Sequence, residues 1–375
     1  MGIVGGGQLA RMTHQAAIAL GVEVVVLSEH PDDPAPAAGA RHVAGRAHVL
    51  DDLLRLAERC DVVTVEHERT PAELLAALED RGVRVAPRAG AARLGQDKAA
   101  ARTELARHQI PTAPWVLTDD LDELAAFGER HGWPLVAKAP RGGYDGRGVW
   151  AVADRAALAA LLLRTGGPLL AEPTIDFRHE VSVIVVRSWT GEVAAYPAVE
   201  TIQRDHQCHE VLLPARLPLD QQVGARHLAV VAAEATGLVG AMAVELFATR
   251  DDLLLNELAV RVHNSGHLTI EACATSQFEN HLRAVLGWPL GATDPLVEAA
   301  SMVNVVGAAD GGDPFDGLAA ALAVPGAHVH AYGKAARPKR KLGHVTATAP
   351  TAAEARATAA RAAEALAPRH LAVAR

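Results

Sequence analysis

The stretch Ala243–His267 reads AVELFATRDDLLLNELAVRVHNSGH, and it places two carboxylates in apolar surroundings. Glu245 and Glu257 lie on either side of the polar tetrapeptide 249–252, which is typical of a hairpin turn. Two strands joined by this turn bring the carboxylates together, and facing carboxylates repel unless a cation lies between them. Hard oxygen ligands beside Asn256 suit magnesium, which commonly keeps substrate phosphates among its ligands. We therefore predict a magnesium site at Glu245 and Glu257.

The second strand of this hairpin runs into a strongly polar segment. The polar residues that follow it are Arg261, His263, Asn264, Ser265 and His267. A strand seldom ends in so many polar groups unless the protein uses them. A surface hairpin followed by a polar loop is the alternative interpretation, but the apolar flanks favour burial.

Length and composition favour a multidomain globular protein. The 375 residues are too many for one small core, so we expect two or three domains. Half of the residues are apolar, which excludes disorder, and aromatic residues make up only 3%. The formal charge of -8 is spread along the chain, and apart from the basic run 337–341 no cluster of Lys and Arg indicates a nucleic-acid partner.

Cysteine usage and hydropathy favour a cytoplasmic protein. Cys60, Cys208 and Cys273 lie far apart and form no CxxC pair, so we expect neither a zinc site nor a disulfide framework. No apolar run reaches the roughly 20 residues that a membrane span requires. The amino terminus begins as a strand and a glycine turn, which is not the pattern of a signal peptide.

The amino-terminal segment 1–27 has the pattern of a Rossmann-like unit: a short strand, a glycine turn, a helix and a buried strand. The turn reads GGGQLA and lacks the spaced GxGxxG. Because this pattern is incomplete, a nicotinamide site is only one of three interpretations. The second is that another phosphate binds at the N-terminus of the helix. The third is that the glycine turn only packs the helix on the sheet. Further strand–helix units follow, and Glu66 and Glu68 come at the carboxyl end of a strand, where ligands gather in open α/β sheets.

A glycine-rich loop follows the strand that ends at Lys138. Residues 141–148 contain four glycines and two arginines between two predicted strands. Such a loop is a flexible cover for phosphates, but it is not a P-loop, because no GKS or GKT follows and no helix opens directly after it. A long flexible hairpin is the alternative interpretation.

Weaker patterns give four further expectations about secondary structure. Residues 87–97 predict an irregular connection, 192–200 a single strand and 269–286 a single helix. The Ala-rich segment from about 290 to 326 predicts loops.

Six motifs distributed over nearly the whole chain carry a family resemblance. They are GGQL at 6–9 with Arg11 and Met12, GGYDGRG at 142–148, NELA at 256–259 with Arg261, HNSGH at 263–267, TSQFENHLR at 275–283, and Arg337-Pro338 with RKLGH at 340–344. With these motifs the chain resembles the ATP-grasp superfamily and, within it, the N5-carboxyaminoimidazole ribonucleotide synthases of purine biosynthesis. The HNSGH and SQFENHLRA blocks are specific to this group.

The resemblance implies a protein of mixed α/β and α+β class. It implies an ATP-grasp fold with a Rossmann-like (pre-ATP-grasp) domain at 1–95, an ATP-grasp domain at 96–288 with a mobile lobe at about 112–180, and a small β-rich domain at 289–375. It also implies a cytoplasmic homodimer that acts on small molecules and has no nucleic-acid or membrane partner.

The resemblance further implies a reaction with ATP, Mg²⁺, bicarbonate and aminoimidazole ribonucleotide (AIR). ATP phosphorylates bicarbonate to carboxyphosphate, which releases carbon dioxide in a closed site, and the exocyclic amine of AIR attacks the carbon. Released phosphate is the expected base, because no dedicated protein base is evident.

The same resemblance assigns a role to each candidate residue. Those implied for ATP are Lys98, Lys138, Gly143, Tyr144, Asp145, Gly146, Arg147, Gly148, Glu172, Thr174, Ile175, Glu180, Gln203, Asn256 and Glu257. Those implied for AIR are Gln8, Leu9, Glu66, Tyr144, Asp145, Arg147, Asn264, Ser265 and Arg340. The implied catalytic cluster around the labile carboxylate is Arg261, His263 and Lys341, and Mg²⁺ is assigned to Glu245 and Glu257.

The chain departs from the family pattern at a few positions. Val260 and Val262 stand where the family has prolines around Arg261, Gln203 where it often has His, and Lys98 where it more often has Arg. The alternatives are another ATP-grasp carboxylate–amine ligase or a nucleotide-binding homologue with impaired catalysis. A nicotinamide oxidoreductase, suggested by the glycine turn alone, leaves the second half of the chain unexplained.

Overall fold

A five-stranded parallel sheet begins the chain, as the βαβ pattern predicts. The computed structural model describes residues 1–143, 148–205, 207–308 and 311–366. The strand order is β3-β2-β1-β4-β5, and every neighbouring pair is parallel. Its elements are β1 (Gly2–Val4), α1 (Gln8–Ala19), β2 (Val25–Ser28), β3 (Arg41–Ala44), α2 (Leu50–Ala57), β4 (Val63–Val65), α3 (Ala72–Glu79), β5 (Val85–Ala86) and α4 (Ala89–Gln96), with a 3-10 turn at Pro36–Ala38.

Helix α4 corrects the prediction of an irregular connection at 87–97. Gly90 and Gly95 lower the helical propensity of this segment, but the side chains of Ala91, Ala92 and Leu94 are buried. Packing of this apolar face therefore outweighs the weak local preference.

A four-stranded antiparallel sheet forms the next lobe. Its order is β6-β9-β7-β8, and Leu124, Leu135 and Leu158 are fully buried in its core. Because Lys138 and Val136 share a face of β7 and Glu172 lies opposite Val136, Lys138 and Glu172 point to the same side. The elements are α5 (Lys98–Arg107), β6 (Val116–Thr118), α6 (Leu121–His131), β7 (Leu135–Lys138), β8 (Val149–Val152), α7 (Arg155–Thr165) and β9 (Leu169–Pro173).

The remaining strands form one large antiparallel sheet with the order β15-β14-β10-β12-β13-β16-β18-β17, and β11 pairs with β10. Helix α8 packs against β10 and β14, and α12 packs against β16 and β18. The elements are β10 (His179–Arg187), β11 (Val193–Ala195), β12 (Val199–Arg204), β13 (Gln207–Leu213), α8 (Leu219–Ala235), β14 (Gly240–Ala248), β15 (Leu253–Ala259), α9 (Thr269–Ala272), α10 (Gln277–Leu286), β16 (Ala299–Val306), α11 (Leu318–Leu322), β17 (Ala327–Ala331), β18 (Lys341–Ala349) and α12 (Ala352–Leu366), with 3-10 turns at Asn264–Gly266 and Pro314–Gly317.

This sheet corrects three predictions. The single strand expected at 192–200 is two strands, β11 and β12, which pair with different parts of β10. The single helix expected at 269–286 is divided into α9 and α10, because Cys273 is extended and the Ser276 hydroxyl accepts the Glu279 N–H to start a new helix. The loops expected before residue 326 include β16, whose apolar residues are buried between β13 and β18.

The carboxyl-terminal strands extend the central sheet. Because β16 pairs with β13, the sheet is continuous across the boundary predicted at residue 288. The domain boundaries themselves stay predictions. Among the described helices, none combines the length and apolarity needed to cross a bilayer.

A buried histidine ties the first sheet to the central sheet. His281 on α10 is 2% exposed. Its Nε2 lies 3.0 Å from Thr64 Oγ1 on β4, and its Nδ1 accepts the N–H of Ala241 on β14 at 3.0 Å. Because an amide can only donate, Nδ1 accepts and the proton lies on Nε2. This contact orients the first sheet against the elements that carry the carboxylates.

Candidate active site

The predicted carboxylate hairpin is confirmed. Strands β14 and β15 are antiparallel, and Glu245 lies directly opposite Glu257. Burial raises the pKa of Glu245 to about 8, and the negative charges of Glu257 and Glu180 add to this effect. Lys98 on α5 lies against the second carboxylate, with Nζ 2.5 Å from Glu257 Oε1. The two carboxylates therefore face each other, and Glu257 is already in contact with a cation.

A buried network of opposite charges lies beside this hairpin. The Lys138 ammonium is 2.5 Å from Glu172 Oε2 and 3.2 Å from Asn256 Oδ1. Arg102, which the sequence analysis missed, donates through Nε to Glu172 Oε1 at 2.8 Å and through Nη2 to the Asn256 carbonyl at 2.7 Å. Burial alone would raise the pKa of Glu172, but Arg102 and Lys138 outweigh it and hold the pKa below its ordinary value. The only signal for Arg102 was its position one helical turn after Lys98.

Ser265 holds the imidazole ring of His263 in one orientation. Its Nδ1 lies 2.9 Å from the Ser265 hydroxyl and accepts the Ser265 N–H at 3.3 Å, while Nε2 is 3.4 Å from Glu245 Oε1. The Ser265 hydroxyl in turn is 2.7 Å from the Ser182 hydroxyl. Burial, with the charges of Arg261 and Lys341, lowers the pKa of His263 well below its ordinary value. The ring is thus neutral, and it presents an Nε2–H donor toward the carboxylate pair.

Arg261 is anchored by its neighbours in the chain. Val260 and Val262 are 3% and 2% exposed, and they pack into two different apolar clusters. The Arg261 guanidinium reaches Glu68 with Nε 2.8 Å from Oε1. Burial alone would lower the pKa of Arg261, but Glu68 outweighs it and raises the pKa. Packing of the two valines therefore holds the backbone on both sides of Arg261.

Glu66 occupies the N-terminus of α1. Its carboxylate accepts the N–H of Gly7 at 2.6 Å and the N–H of Leu9 at 3.2 Å. A Cβ at Gly7 would collide with this carboxylate, so the turn requires glycine here. A substrate phosphate at Gln8 and Leu9 has to share this helix end with Glu66.

Lys334, in the carboxyl-terminal segment, places a cationic group near Glu66. Lys334 lies over the Tyr332 ring, with Nζ 5.7 Å from the ring centroid. Burial, together with the nearby charges of Arg340 and Lys341, lowers the pKa of Lys334 to about 8 against the opposing effect of Glu66. Sequence reasoning missed Lys334 because it stands alone, ahead of the basic run 337–341.

Two predicted nucleotide contacts lie together on the central sheet. Burial raises the pKa of Glu180 on β10, and a hydrogen bond from the Gln203 side chain on β12 partly opposes this rise. Glu180 is also directly opposite Phe247, which stacks on Phe177 with ring centroids 4.6 Å apart. An apolar ring pair and a carboxylate thus lie side by side on the sheet.

The other predicted residues differ in how they are held. Asn264 forms a reciprocal amide pair with Asn304 at 2.8 and 2.7 Å, and Arg340 donates to the Ala335 carbonyl at 3.2 Å. Thr174 is exposed and donates to the Pro134 carbonyl, whereas Ile175 is half-buried. Gly143 and Gly148 flank the tip of the glycine loop; Tyr144, Asp145, Gly146 and Arg147 lie outside the described residues. The roles of all these residues stay predictions.

The carboxylate pair fits a magnesium ion. Two facing, half-buried carboxylates repel each other unless a cation lies between them, and Mg²⁺ accepts one or two carboxylates together with phosphate oxygens. Within the ranges that the structure describes, no group of three or more His, Cys, Asp or Glu side chains is arranged to hold a metal.

Three family models match consecutive parts of the chain. They are the ribonucleotide synthetase preATP-grasp domain at 1–96, the ATP-grasp domain at 103–278 and the phosphoribosylaminoimidazole carboxylase C-terminal domain at 300–358. The N5-carboxyaminoimidazole ribonucleotide synthase of Mycobacterium tuberculosis is 47% identical over 353 residues, which cover 92% of this chain and 82% of that protein. The chain belongs to the N5-carboxyaminoimidazole ribonucleotide synthase family. The predicted ATP-grasp fold and the family resemblance are thereby confirmed.

Solved structures of this family are similar over nearly the whole chain. The N5-carboxyaminoimidazole ribonucleotide synthetase of Thermus thermophilus is 39% identical, with a TM-score of 0.89 and 99% coverage of both chains. The Aspergillus clavatus synthase in complex with ADP and 5-aminoimidazole ribonucleotide is 36% identical, with a TM-score of 0.89 and 97% coverage of both chains. The phosphoribosylaminoimidazole carboxylase of Candida albicans is 40% identical, and this chain spans 63% of its length.

Proposed function

We propose that this chain uses ATP and bicarbonate to carboxylate the exocyclic amine of AIR, a step of purine biosynthesis. Bicarbonate oxygen attacks the γ-phosphorus of ATP, which releases ADP and forms carboxyphosphate. Carboxyphosphate breaks into phosphate and carbon dioxide, and the amine nitrogen of AIR bonds to that carbon. The amine proton passes to the released phosphate, and the product is N5-carboxyaminoimidazole ribonucleotide.

One observation carries this proposal. The carboxylates of Glu245 and Glu257 face each other. Glu257 contacts Lys98, a cation of the kind that binds phosphates, and Glu245 contacts the imidazole of His263. Phosphoryl transfer to a small anion requires positive charge on the phosphates and donors for the new anion in one site. A nicotinamide oxidoreductase requires neither group.

The residues have separate tasks in the proposed reaction. We infer that Lys98 and Lys138 bind the phosphates of ATP, and that Glu180 binds its ribose beside the Phe177 and Phe247 rings. Glu245 and Glu257 would hold Mg²⁺, which when bound supplies positive charge that neutralises the phosphates. Support for this ligand pair comes from its geometry, because Glu245 lies directly opposite Glu257, and from the pKa of Glu245, which burial and then the charge of Glu257 raise and which a bound cation would lower.

The carboxyphosphate end of the site uses neutral and cationic donors. We infer that the Arg261 guanidinium and Lys341 stabilise the negative charge of carboxyphosphate, and that the Nε2–H of His263 donates to one of its oxygens. Because the pKa of His263 lies well below its ordinary value, the ring donates as a neutral group and takes no proton from the amine. This agrees with released phosphate as the base.

The AIR phosphate meets the other side of the site. We infer that it binds near Gln8 and Leu9, with Lys334 and Arg340 as cationic partners. Tyr144, Asp145 and Arg147 of the glycine loop are proposed to cover it.

We also propose a cytoplasmic homodimer with domains at 1–95, 96–288 and 289–375. The family relationship supports this proposal, and light scattering of the purified protein tests the dimer.

One assay tests the function. Purified protein is given Mg·ATP with bicarbonate and AIR together or with either omitted, and ADP release is followed by a coupled enzyme. We expect ADP release to require both co-substrates, with one N5-carboxylated product per ADP. ADP release that is independent of AIR would favour another ATP-grasp ligase, and no ADP with all substrates present would favour an impaired homologue.

A further inference from the structure

Arg102 on α5 links three elements that surround the proposed ATP site. Its side chain is 5% exposed. Two of its nitrogens, Nε and Nη2, lie 2.8 and 2.6 Å from Glu172 Oε1 at the end of β9. Nη2 also donates to the Asn256 carbonyl on β15 at 2.7 Å, next to Glu257. These contacts join α5, β9 and β15 beside the carboxylate pair.

Glu172 is shared between two cations. Its Oε1 accepts from Arg102, and its Oε2 lies 2.5 Å from Lys138 Nζ. Both carboxylate oxygens are therefore occupied inside the protein, and the side chain is only 5% exposed. Two positive charges face one negative charge, so this trio carries one excess positive charge directed toward the site that ATP phosphates are proposed to enter.

This excess charge depends on Arg102. When Lys138 turns toward a phosphate, its contact with Glu172 weakens, and a buried carboxylate without a partner is costly. Arg102 keeps Glu172 paired during this exchange, because its planar fork stays on Oε1. Without Arg102, Lys138 would be the sole partner of Glu172, and their opposite charges would cancel.

We propose that Arg102 is a positioning residue that keeps Glu172 neutralised so that Lys138 is available to the phosphates of ATP. This inference rests on the proposed ATP site. It deepens that proposal by assigning the availability of Lys138 to a residue that does not itself contact the nucleotide. Arginine suits this task better than lysine, because only the guanidinium reaches Glu172 and the Asn256 carbonyl at the same time.

A double-mutant cycle tests the proposal through charge. Arg102→Met removes the fork and leaves Lys138 locked to Glu172, so the trio has no excess charge. Glu172→Gln alone and Arg102→Met combined with Glu172→Gln complete the cycle, and in both Lys138 has lost its charged partner, so its positive charge stays in excess. Arg107→Met on the same helix is the matched control, because Arg107 is 69% exposed and pairs only locally with Glu104.

The probe is Mg·AMP-PNP, and its dissociation constant is measured by calorimetry without bicarbonate or AIR. We expect Arg102→Met to weaken binding by about tenfold, in the range of one lost charge-assisted contact. Glu172→Gln itself weakens binding if Glu172 contacts the nucleotide, so the double variant is compared with it and should bind within about threefold of Glu172→Gln alone. Arg107→Met should bind normally. In the full assay, the KM for ATP should rise in Arg102→Met while the KM for AIR stays constant.

Two results would overturn the proposal: normal AMP-PNP binding by Arg102→Met, or a loss from Arg102→Met that is just as large in the Glu172→Gln background. Circular dichroism confirms that each variant is folded. If Arg102→Met does not fold, Arg102→Lys with and without Glu172→Gln tests the same order of affinities. Because nucleotide binding is measured without the co-substrates, a failure of the proposed carboxylation leaves this test intact, and the two failures are distinguishable.

Discussion

Glu245 and Glu257 face each other across β14 and β15, and each has a different basic neighbour. Glu245 Oε1 lies 3.4 Å from His263 Nε2, whereas Glu257 Oε1 lies 2.5 Å from Lys98 Nζ. The pair thus joins the proposed phosphate side of the site to the proposed carboxyphosphate side. A change on either carboxylate should therefore affect chemistry more than it affects folding.

Replacing Glu257 with glutamine should abolish most phosphoryl transfer. Glu257→Gln keeps the side-chain volume but removes the charge that Mg²⁺ and Lys98 require, so we expect ADP release to fall about 100-fold or more. The exposed hairpin residue Asp251 provides the control, and Asp251→Asn should keep its activity. The measurement is ADP release during a Mg²⁺ titration; full activity of Glu257→Gln would remove the metal assignment.

Replacing Ser265 with alanine should lower kcat and leave the KM for ATP nearly unchanged. The Ser265 hydroxyl holds His263 Nδ1 at 2.9 Å, and loss of one orienting hydrogen bond should cost about tenfold in turnover. The Ser182 hydroxyl contacts the Ser265 hydroxyl rather than the ring, so Ser182→Ala should have a smaller effect. Nitrogen-15 NMR of labelled histidine reads the tautomer directly. An unprotonated Nε2 on His263 in the unmodified protein would contradict this account.

AIR binding should weaken as the pH rises through about 8. Burial lowers the pKa of Lys334 to about 8, so above that pH the free protein loses this charge near the proposed phosphate site. Lys334→Arg keeps its charge, and its KM for AIR should therefore vary less between pH 7 and 9. The stability of the fold should change in the opposite direction. Below pH 8 the protonated Lys334 destabilises the folded state, and the free energy of unfolding rises as the pH increases from 8 toward the ordinary pKa of lysine. Identical pH profiles for both proteins would exclude a role for Lys334 in AIR binding.

Acid should destabilise the contact between the first sheet and the central sheet. Burial lowers the pKa of His281 to about 4, so the unfolded chain binds a proton here more readily than the folded one. Stability is therefore lost as the pH falls from the ordinary histidine value toward 4, by about 2 kcal/mol between pH 6.5 and 5.

Urea unfolding at pH 7 and pH 5 measures this loss. His281→Gln should be less stable at pH 7, because its contacts with Thr64 and Ala241 are disturbed, but it should lose less on acidification. The exposed His328 is the control, and His328→Gln should titrate like the unmodified protein. An equal loss in His281→Gln and the unmodified protein would assign the acid sensitivity to other groups.

Much of the site could be predicted because its signals are local. The turn at 249–252 and the alternation around it predict both strands, but the turn's register reaches only the pair Leu246 and Leu255. A bulge beyond that pair then brings Glu257, rather than Asn256, opposite Glu245. The glycine loop after Lys138 and the turn before α1 are likewise local patterns. The motif 263–267 was predicted to be functional, although its internal hydrogen bonds were not.

The sequence by itself determined the elements whose signals are local, together with the family to which the chain belongs. Only the tertiary structure decided the partners of Arg102, which lie 70 and 154 positions away at Glu172 and Asn256. It also decided that β16 is a central strand and that α10 starts at a new cap, against the local pattern. The physical reason is that burial and ion pairing depend on which residues meet in space, and residues distant in the chain meet only when sheets and helices pack.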